Sequence, residues 1–593
     1  MEHRKLDLAL AIGGAAGQGI ATPGNILARL LAGRGLHVHA YNAYQSIIRG
    51  GHIFLTIRTS DRPLGSHGDR LDVLVCLNQD TMDRHLRLMG PGTSVIFNGD
   101  RVKPGEAQEG VRLCPVPVHE LTGNDPNPAL QNTVALGVLM HLLGLDPALL
   151  KDSLTRQFGR KGPDVLDPNL RAGLAGFEHA RGRFSPLPTP IPRGGTPLGL
   201  WSGNDALAMG GAAAGVKFYC AYPMSPSTGV LHWMSRHARE LGILVRQVED
   251  EISVANMTIG AAHAGCRAMC ATSGGGFALM TEAVGMAGMM EVPVVFIDVQ
   301  RGGPSTGLPT KTEQADLWQA LGASQGEFPR VVVAPTDALD AFRTIPELFN
   351  LVDRYQCPGI VLSDLLISEG TFSADPGAID LHPAIERGET ILEGSSPGGY
   401  RRYLDTGSGI SPRAVPGLEG FEHVVSTDEH DEDGGIISDE FTDPRVRRKM
   451  VEKRARKFQD ALDRIPAPVL EGPAGAEVTL VCWGSTRGVL REARERLEEE
   501  GVACNLLAIK WLVPFHAAAV AAILAAARRT VVVEQNHSGQ FARYLRSETG
   551  IAAAAHIRKY DGEPLQPHHV VEGVRAILAG STELHVPDHE IRV

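Results

Sequence analysis

The residues best suited to chemistry lie between positions 298 and 314, where the chain reads Asp298-Val-Gln-Arg301-Gly-Gly-Pro304-Ser-Thr306-Gly-Leu-Pro-Thr-Lys311-Thr-Glu-Gln314. An apolar, β-branched run from Val292 to Ile297 precedes them and predicts a buried strand. Arg301 therefore falls where a strand gives way to a loop rich in glycine, proline and hydroxyls. In open α/β sheets ligands bind beyond the carboxyl ends of the strands. A guanidinium offers a rigid fork of donors suited to a carboxylate or phosphate. A lone Arg beside a turn is more often a surface residue. The length and hydroxyl content of this loop favour a ligand contact.

Three further segments have the same strand-then-loop character. Gly13-Gly14-Ala-Ala-Gly17-Gln18-Gly19 follows the strand predicted over Leu6–Ile12 and opens a helical pattern. Such a turn presents amides and a helix N-terminus to a phosphate. It matches neither Gly-x-Gly-x-x-Gly nor a P-loop with its Lys, so a plain tight turn is the competing reading. Arg49-Gly50-Gly51 is a second phosphate candidate. Tyr222-Pro-Met-Ser225-Pro-Ser-Thr228 sets hydroxyls between prolines, which suits a ligand or an ordinary hydroxyl turn. Glu249-Asp250-Glu251 begins a small-residue helix, where acids are common because they favour the dipole. The functional reading is a carboxylate aimed at a cofactor.

The elements that would hold these residues are α/β throughout. With 593 residues the chain is long enough for several domains. Hydrophobic residues make up 43% and charged residues 21%, so packed cores are expected rather than disorder. The alternation of strands and helices in residues 1–180 predicts a first unit with a parallel sheet. A Pro/Gly-rich linker over 181–199 leads to a second α/β unit, 200–375. Residues 376–465 read as a loop-rich connector, with the acidic run Asp428–Asp433 and the basic run Arg445–Lys457 both read as solvated. A third α/β unit spans 466–593. The net charge of −11 and the lack of a basic stripe with aromatics give no nucleic-acid signal. No signal peptide and no membrane-length apolar run are visible, which predicts a cytoplasmic protein. The eight cysteines include no Cys-x-x-Cys pair, so neither a metal site nor an iron–sulfur cluster is expected in this chain.

Taken together in their order and spacing, these motifs, with Phe158–Gly162, Thr272-Ser273-Gly274-Gly-Gly-Phe277 and Glu534-Gln-Asn-His-Ser-Gly-Gln540, resemble the alpha subunits of 2-oxoacid–ferredoxin oxidoreductases with a gamma domain fused at the N-terminus. The resemblance is strongest to the 2-oxoglutarate type. It implies a gamma domain, a pyrimidine-type thiamine diphosphate domain and a transketolase-C-like domain. It implies CoA and thiamine diphosphate as cofactors, the latter shared with a separate beta subunit that carries Mg2+ and a [4Fe–4S] cluster. Ferredoxin or a similar acceptor and an (alpha-beta)2 assembly are implied partners. The implied reaction converts a 2-oxoacid and CoA to an acyl-CoA and CO2. By match, Glu251 hydrogen-bonds the cofactor's aminopyrimidine and Arg301 holds the substrate's 1-carboxylate with Ser225. Thr306 and Lys311 are further candidate substrate contacts, and Gly14, Gly17, Gln18, Gly19, Arg49, Gly50, Ser273 and Gly274 are candidate cofactor contacts. Ser225 stands where the family usually has Thr, Gly275 where it has Pro, and Ala15 and Ala16 interrupt the first turn. Pyruvate, a branched 2-oxoacid or indolepyruvate are alternative substrates, and a non-catalytic scaffold or an NAD-linked dehydrogenase the alternatives in kind.

Overall fold

The computed structural model describes residues 6–45, 51–85, 88–105, 109–192, 194–438 and 442–588. Three sheets carry the architecture, with six, seven and eight strands. The strand runs expected from apolar composition are present within a few residues: Asp7–Ala15, Val73–Cys76 and Ser94–Asn98 in the first sheet, Val216–Ala221, Arg267–Thr272, Val294–Gln300 and Pro358–Asp364 in the second, and Val478–Trp483, Cys504–Ile509 and Thr530–Glu534 in the third.

The second sheet positions the candidate site. Its strand order is Trp511–Val513, Val331–Val333, Pro358–Asp364, Val294–Gln300, Arg267–Thr272, Val216–Ala221, Leu244–Gln247. All neighbours pair in parallel except Trp511–Val513. The strand Val294–Gln300 is central and buried along its whole length. Its β-branched run is what a strand covered on both faces needs. Helices Glu251–His263 and Gly274–Met289 flank the preceding strand and pack against each other.

The first sheet is mixed rather than parallel. Asp7–Ala15 pairs in parallel with Val73–Cys76 but antiparallel with His52–Ser60, which in turn pairs antiparallel with His37–Ala43. His52–Ser60 is buried along nearly its entire length. The second unit contributes to this sheet: Thr371–Ala374 adds to His37–Ala43, and Gly199–Ser202 adds beyond it. The third unit likewise gives Trp511–Val513 to the second sheet.

The charged runs of the connector are not solvated as expected. The basic residues form the helix Pro444–Arg456, and its Lys453 is fully buried, as is Lys457 just beyond it. Both ammoniums contact the carboxylate of Glu291, itself 0% exposed, with Lys453 Nζ at 2.9 and 3.0 Å from its two oxygens. Burial alone would raise the Glu291 carboxyl, but Lys457, Lys453 and Arg402 hold it well below the usual carboxylate range. Arg454 makes a forked contact of 2.9–3.0 Å with Glu429 of the acidic run. The two runs therefore neutralise each other and fasten the connector to the second unit.

Seven of the eight cysteines are buried and none is disulfide-bonded. Among the described residues, no helix is long and apolar enough to cross a membrane.

Candidate active site

Glu251 is the first residue of its helix, but it does not cap it. Asp250, with φ 78°, does that work, its carboxylate accepting from the Ser253 N–H at 2.7 Å. Glu249 is exposed. Glu251 is thus free to turn inward, where it is 3% exposed and, among the described residues, its Oε1 has no hydrogen-bond partner. Burial pushes its carboxyl up and the neighbouring Asp250 adds to this, opposed by a backbone N–H. It lies against the start of the helix Gly274–Met289. A Cβ on Gly276 would sit 2.5 Å from Glu251 Oε1, so only glycine lets the helix pass. A buried carboxyl with an unused oxygen suits a ring nitrogen that brings its own proton.

Gly274 and Gly275, two residues and one residue before Gly276, line a cleft of about 600 Å³. Arg301, Gly302, Gly303, Pro304 and Ser305 form the adjoining wall, and Glu313, Ala315 and Asp316 continue it. The sequence stretch that opens at Asp298 therefore folds around one cavity. Arg301 is 8% exposed, not a surface residue, and its Nη1 donates to the Ser225 carbonyl at 2.5 Å. Ser225 reaches Arg301 through its backbone rather than its hydroxyl. Ser273 immediately precedes the helix, its hydroxyl buried without a partner among the described residues.

Three acids around Arg301 escaped sequence reasoning. Asp298 is 0% exposed, and among the described residues neither of its carboxyl oxygens has a hydrogen-bond partner. Burial drives it well above the ordinary range, Asp316 adds to this, and Arg301 opposes. Asp316, whose carboxyl lies against Gly274, is raised to about 6 by burial against the pull of Arg301. Glu313 is raised to about 7 by burial, Asp316 and Asp561, against a bond from the Gly303 N–H. The signal was an Asp closing an apolar strand; nothing local tells that a second Asp eighteen positions on returns to it.

These acids make stability pH-dependent. With raised folded-state values, the folded protein holds more protons than the unfolded chain once pH passes the ordinary carboxylate range. Stability then falls as pH rises towards about 7. Unfolding midpoints measured at about pH 5 and about pH 8 should differ less in Glu313→Gln and Asp316→Asn than in the parent; an unchanged difference would refute this.

The third unit closes the cleft. Its loop after the strand Thr530–Glu534 is fixed to the Arg301 loop by reciprocal bonds. Gln314 N donates to Gln535 O at 2.7 Å, Gln535 N to Gln314 Oε1 at 3.1 Å and Asn536 Nδ2 to Gln314 O at 3.0 Å. Gln540 bridges Ala315 O and Trp318 N at 2.7 and 3.2 Å. Buried Glu534 accepts from Asn536, Phe541 and Ala542 and so pins the helix start. Asn536, His537, Ser538, Gln540 and Tyr560 face the cavity.

The remaining expected contacts lie elsewhere. Thr306 is at the exposed tip of its loop and does not line the cleft. Lys311 does not line it either; its ammonium is paired with Glu563. Thr310 instead ties the loop to the first unit, donating to the Tyr44 carbonyl at 2.8 Å. In the first unit Gly17 and Gly19 take left-handed φ of 87° and 75°, as their turn requires. The Gln18 carboxamide closes that turn by accepting from Ala15 N at 2.7 Å. Ala16 N donates to Gly51 O at 2.7 Å, which sets the turn beside the second phosphate candidate. Arg49 and Gly50 themselves lie outside the described residues.

A three-part α/β chain, with a buried carboxyl and a buried Arg beside one cleft, is the architecture of a thiamine diphosphate-dependent oxidoreductase subunit, and the comparisons agree. Residues 209–444 match the family described as "Pyruvate flavodoxin/ferredoxin oxidoreductase, thiamine diP-bdg", 9–179 match "Pyruvate ferredoxin/flavodoxin oxidoreductase" and 469–547 match "Transketolase, C-terminal domain". The 2-oxoacid:ferredoxin oxidoreductase subunit alpha of Saccharolobus solfataricus is 31% identical, covering 96% of this chain and 97% of its own. The 2-oxoglutarate oxidoreductase subunit KorA of Mycobacterium tuberculosis is 32% identical over 88% of this chain and 83% of its own. A solved structure of 2-oxoglutarate:ferredoxin oxidoreductase from Magnetococcus marinus, with 2-oxoglutarate, coenzyme A and succinyl-CoA bound, superposes with a TM-score of 0.90 at 35% identity, covering 96% of this chain and 99% of that one. The chain belongs to the 2-oxoacid:ferredoxin oxidoreductase alpha subunits.

Proposed function

We propose that this chain, with a beta subunit, oxidatively decarboxylates 2-oxoglutarate: 2-oxoglutarate, CoA and oxidised ferredoxin become succinyl-CoA, CO2 and reduced ferredoxin. The observation that carries the reading is Arg301, buried at the wall of a cleft also lined by Gly274 and Gly275, with the buried Glu251 carboxyl against the next residue, Gly276. The 2-oxoglutarate-bound relative and the KorA relatives support the choice of substrate. The beta subunit would bring Mg2+ and the [4Fe–4S] cluster, in an (alpha-beta)2 assembly.

Thiamine diphosphate, when bound, supplies the electron sink that decarboxylation of a 2-oxoacid needs. Glu251 would hold its aminopyrimidine by accepting from a ring N–H, a bond strengthened by the dry surroundings of the carboxyl. Ser273 and Gly274 would approach it from the helix start. Arg301 would bind the substrate's 1-carboxylate with paired charge-assisted bonds. Burial raises the carboxyls of both Asp298 and Asp316, which would weaken their hold on the guanidinium and leave it receptive to that carboxylate. Gly14, Gly17 and Gly19, together with Arg49 and Gly50, would take the phosphates of CoA.

Arg301→Lys keeps the charge but loses the fork. It should raise the KM for the 2-oxoacid about tenfold or more, the loss of one good charge-assisted bond, with the KM for CoA unmoved. The reading as a whole is tested on the alpha–beta complex by CoA-dependent viologen reduction with 2-oxoglutarate, pyruvate, a branched 2-oxoacid and indolepyruvate. Preference for 2-oxoglutarate supports it; activity with none of the four defeats it.

A further inference from the structure

The loop from Gln535 to Gln540 is built like a wall, yet two of its side chains take no part in building it. Asn536 and Gln540 spend their amides on the Arg301 loop and on the start of their own helix, Asn536 Oδ1 accepting from Gly539 N and Gln540 N at 2.8 and 3.1 Å. Among the described residues, no hydrogen bond reaches the ring nitrogens of His537 or the hydroxyl of Ser538. The His537 ring is exposed and meets Tyr560 edge-on, with centroids 5.0 Å apart at 83°. All three residues face the cleft that holds Arg301.

Charge is unevenly divided across this cleft. The wall formed by the second unit contains Arg301 and two acids, Glu313 and Asp316. The wall formed by the third unit contains no acid, and among the cleft-lining residues only Arg301 and His537 have a side chain that can be cationic. The nearby lysines are already committed, Lys311 to Glu563 and Lys559 to Asp561, while Arg558 does not line the cleft and gives one bond to the His537 carbonyl at 3.2 Å. A substrate anchored through one carboxylate at Arg301 would find Glu313 and Asp316 repelling a second carboxylate on that side. It would find an unused imidazole and two hydroxyls on the other.

We infer that His537, assisted by Ser538 and Tyr560, receives the second carboxylate of a dicarboxylic 2-oxoacid and so sets the preference for it over monocarboxylic ones. The inference rests on the reading of the cleft given above and assigns to the third unit a substrate contact that Lys311, paired with Glu563, is not placed to make. It also explains why the loop is locked so firmly to the Arg301 loop: a specificity contact must be held at a fixed distance from the anchor.

The test compares kcat/KM for 2-oxoglutarate and 2-oxobutyrate in the alpha–beta holoenzyme carrying His537→Ala, His537→Gln or Tyr560→Phe. His537→Ala should lower the 2-oxoglutarate value about tenfold, mainly through KM, while 2-oxobutyrate changes less than about twofold. His537→Gln, which keeps an N–H donor, should recover part of the loss. Turnover of 2-oxobutyrate in the same preparation controls for folding. Competitive inhibition by glutarate against butyrate gives a second measurement: glutarate alone should weaken in His537→Ala. An unmoved ratio, or equal loss on both substrates, overturns the assignment while leaving the proposed function standing. A parent enzyme inactive on every 2-oxoacid overturns both.

Discussion

Glu251→Gln is expected to abolish 2-oxoacid decarboxylation, a fall of about 10²–10⁴-fold, the range spanned by positioned acid–base groups. The substitution preserves volume and can still donate and accept hydrogen bonds. It cannot present a carboxylate to a protonated ring. The side chain is buried beside Gly276 and its Oε1 has no partner among the described residues, so little of the local packing depends on its charge. Burial already disfavours ionisation there, and the amide should fold at least as well as the acid. The complex with the beta subunit should therefore form with unchanged stoichiometry on size exclusion, and only viologen reduction should be lost. Turnover within about threefold of the parent would remove Glu251 from the reaction.

The second large effect is structural. Glu291→Gln should lower stability by about 3–5 kcal/mol, because it leaves Lys453 and Lys457 buried without their counter-charge. The loss should appear as an earlier unfolding transition and as faster proteolysis of the connector, residues 376–465. Replacing all three residues by methionine should recover much of the loss, since it removes the unpaired charges along with the pair. If the single amide variant melts with the parent, the cluster is not what fastens the connector. Arg301 lies on the far end of the strand that begins just after Glu291, so the same experiment asks whether the connector steadies the site: a leaky clamp would raise KM for the 2-oxoacid as well.

Much of this was legible in the residues. The central strands were readable because continuous β-branched runs ended at Gly-rich turns, and the strand-to-loop position of Arg301 followed from one such run. Glu251 stood out from its two acidic neighbours only by resemblance; the structure supplies the physical distinction, since Asp250 caps the helix and Glu249 meets water. Other features depended on partners far along the chain. The run Lys453-Arg454-Ala-Arg456-Lys457 has the composition of a solvated face, and nothing within the helix betrays a counter-ion 162 positions earlier. The strand His52–Ser60 hides because its mixture of His, Thr and Arg lacks a clean period, and its antiparallel pairing on both sides is a tertiary choice. Asp298 and Asp316 look unrelated until the loop between them closes. Lys311, within the Arg301 loop, was expected to contact substrate; Glu563, from another unit, claims it first.

The strands that the second unit lends to the first sheet bear on the order in which the protein can be made. When residue 180 leaves the ribosome, the sheet of the first unit still ends at the open edge of His37–Ala43. The strand that covers that edge, Thr371–Ala374, emerges only after nearly two hundred further residues, and Gly199–Ser202 has nothing to join until then. Throughout this interval of synthesis the nascent chain displays unpaired backbone of the kind that recruits other strands. Fusion of the units into one polypeptide keeps the missing strand tethered to its site, so closure becomes an intramolecular event whose timing is set by translation rather than by the concentration of a separate subunit.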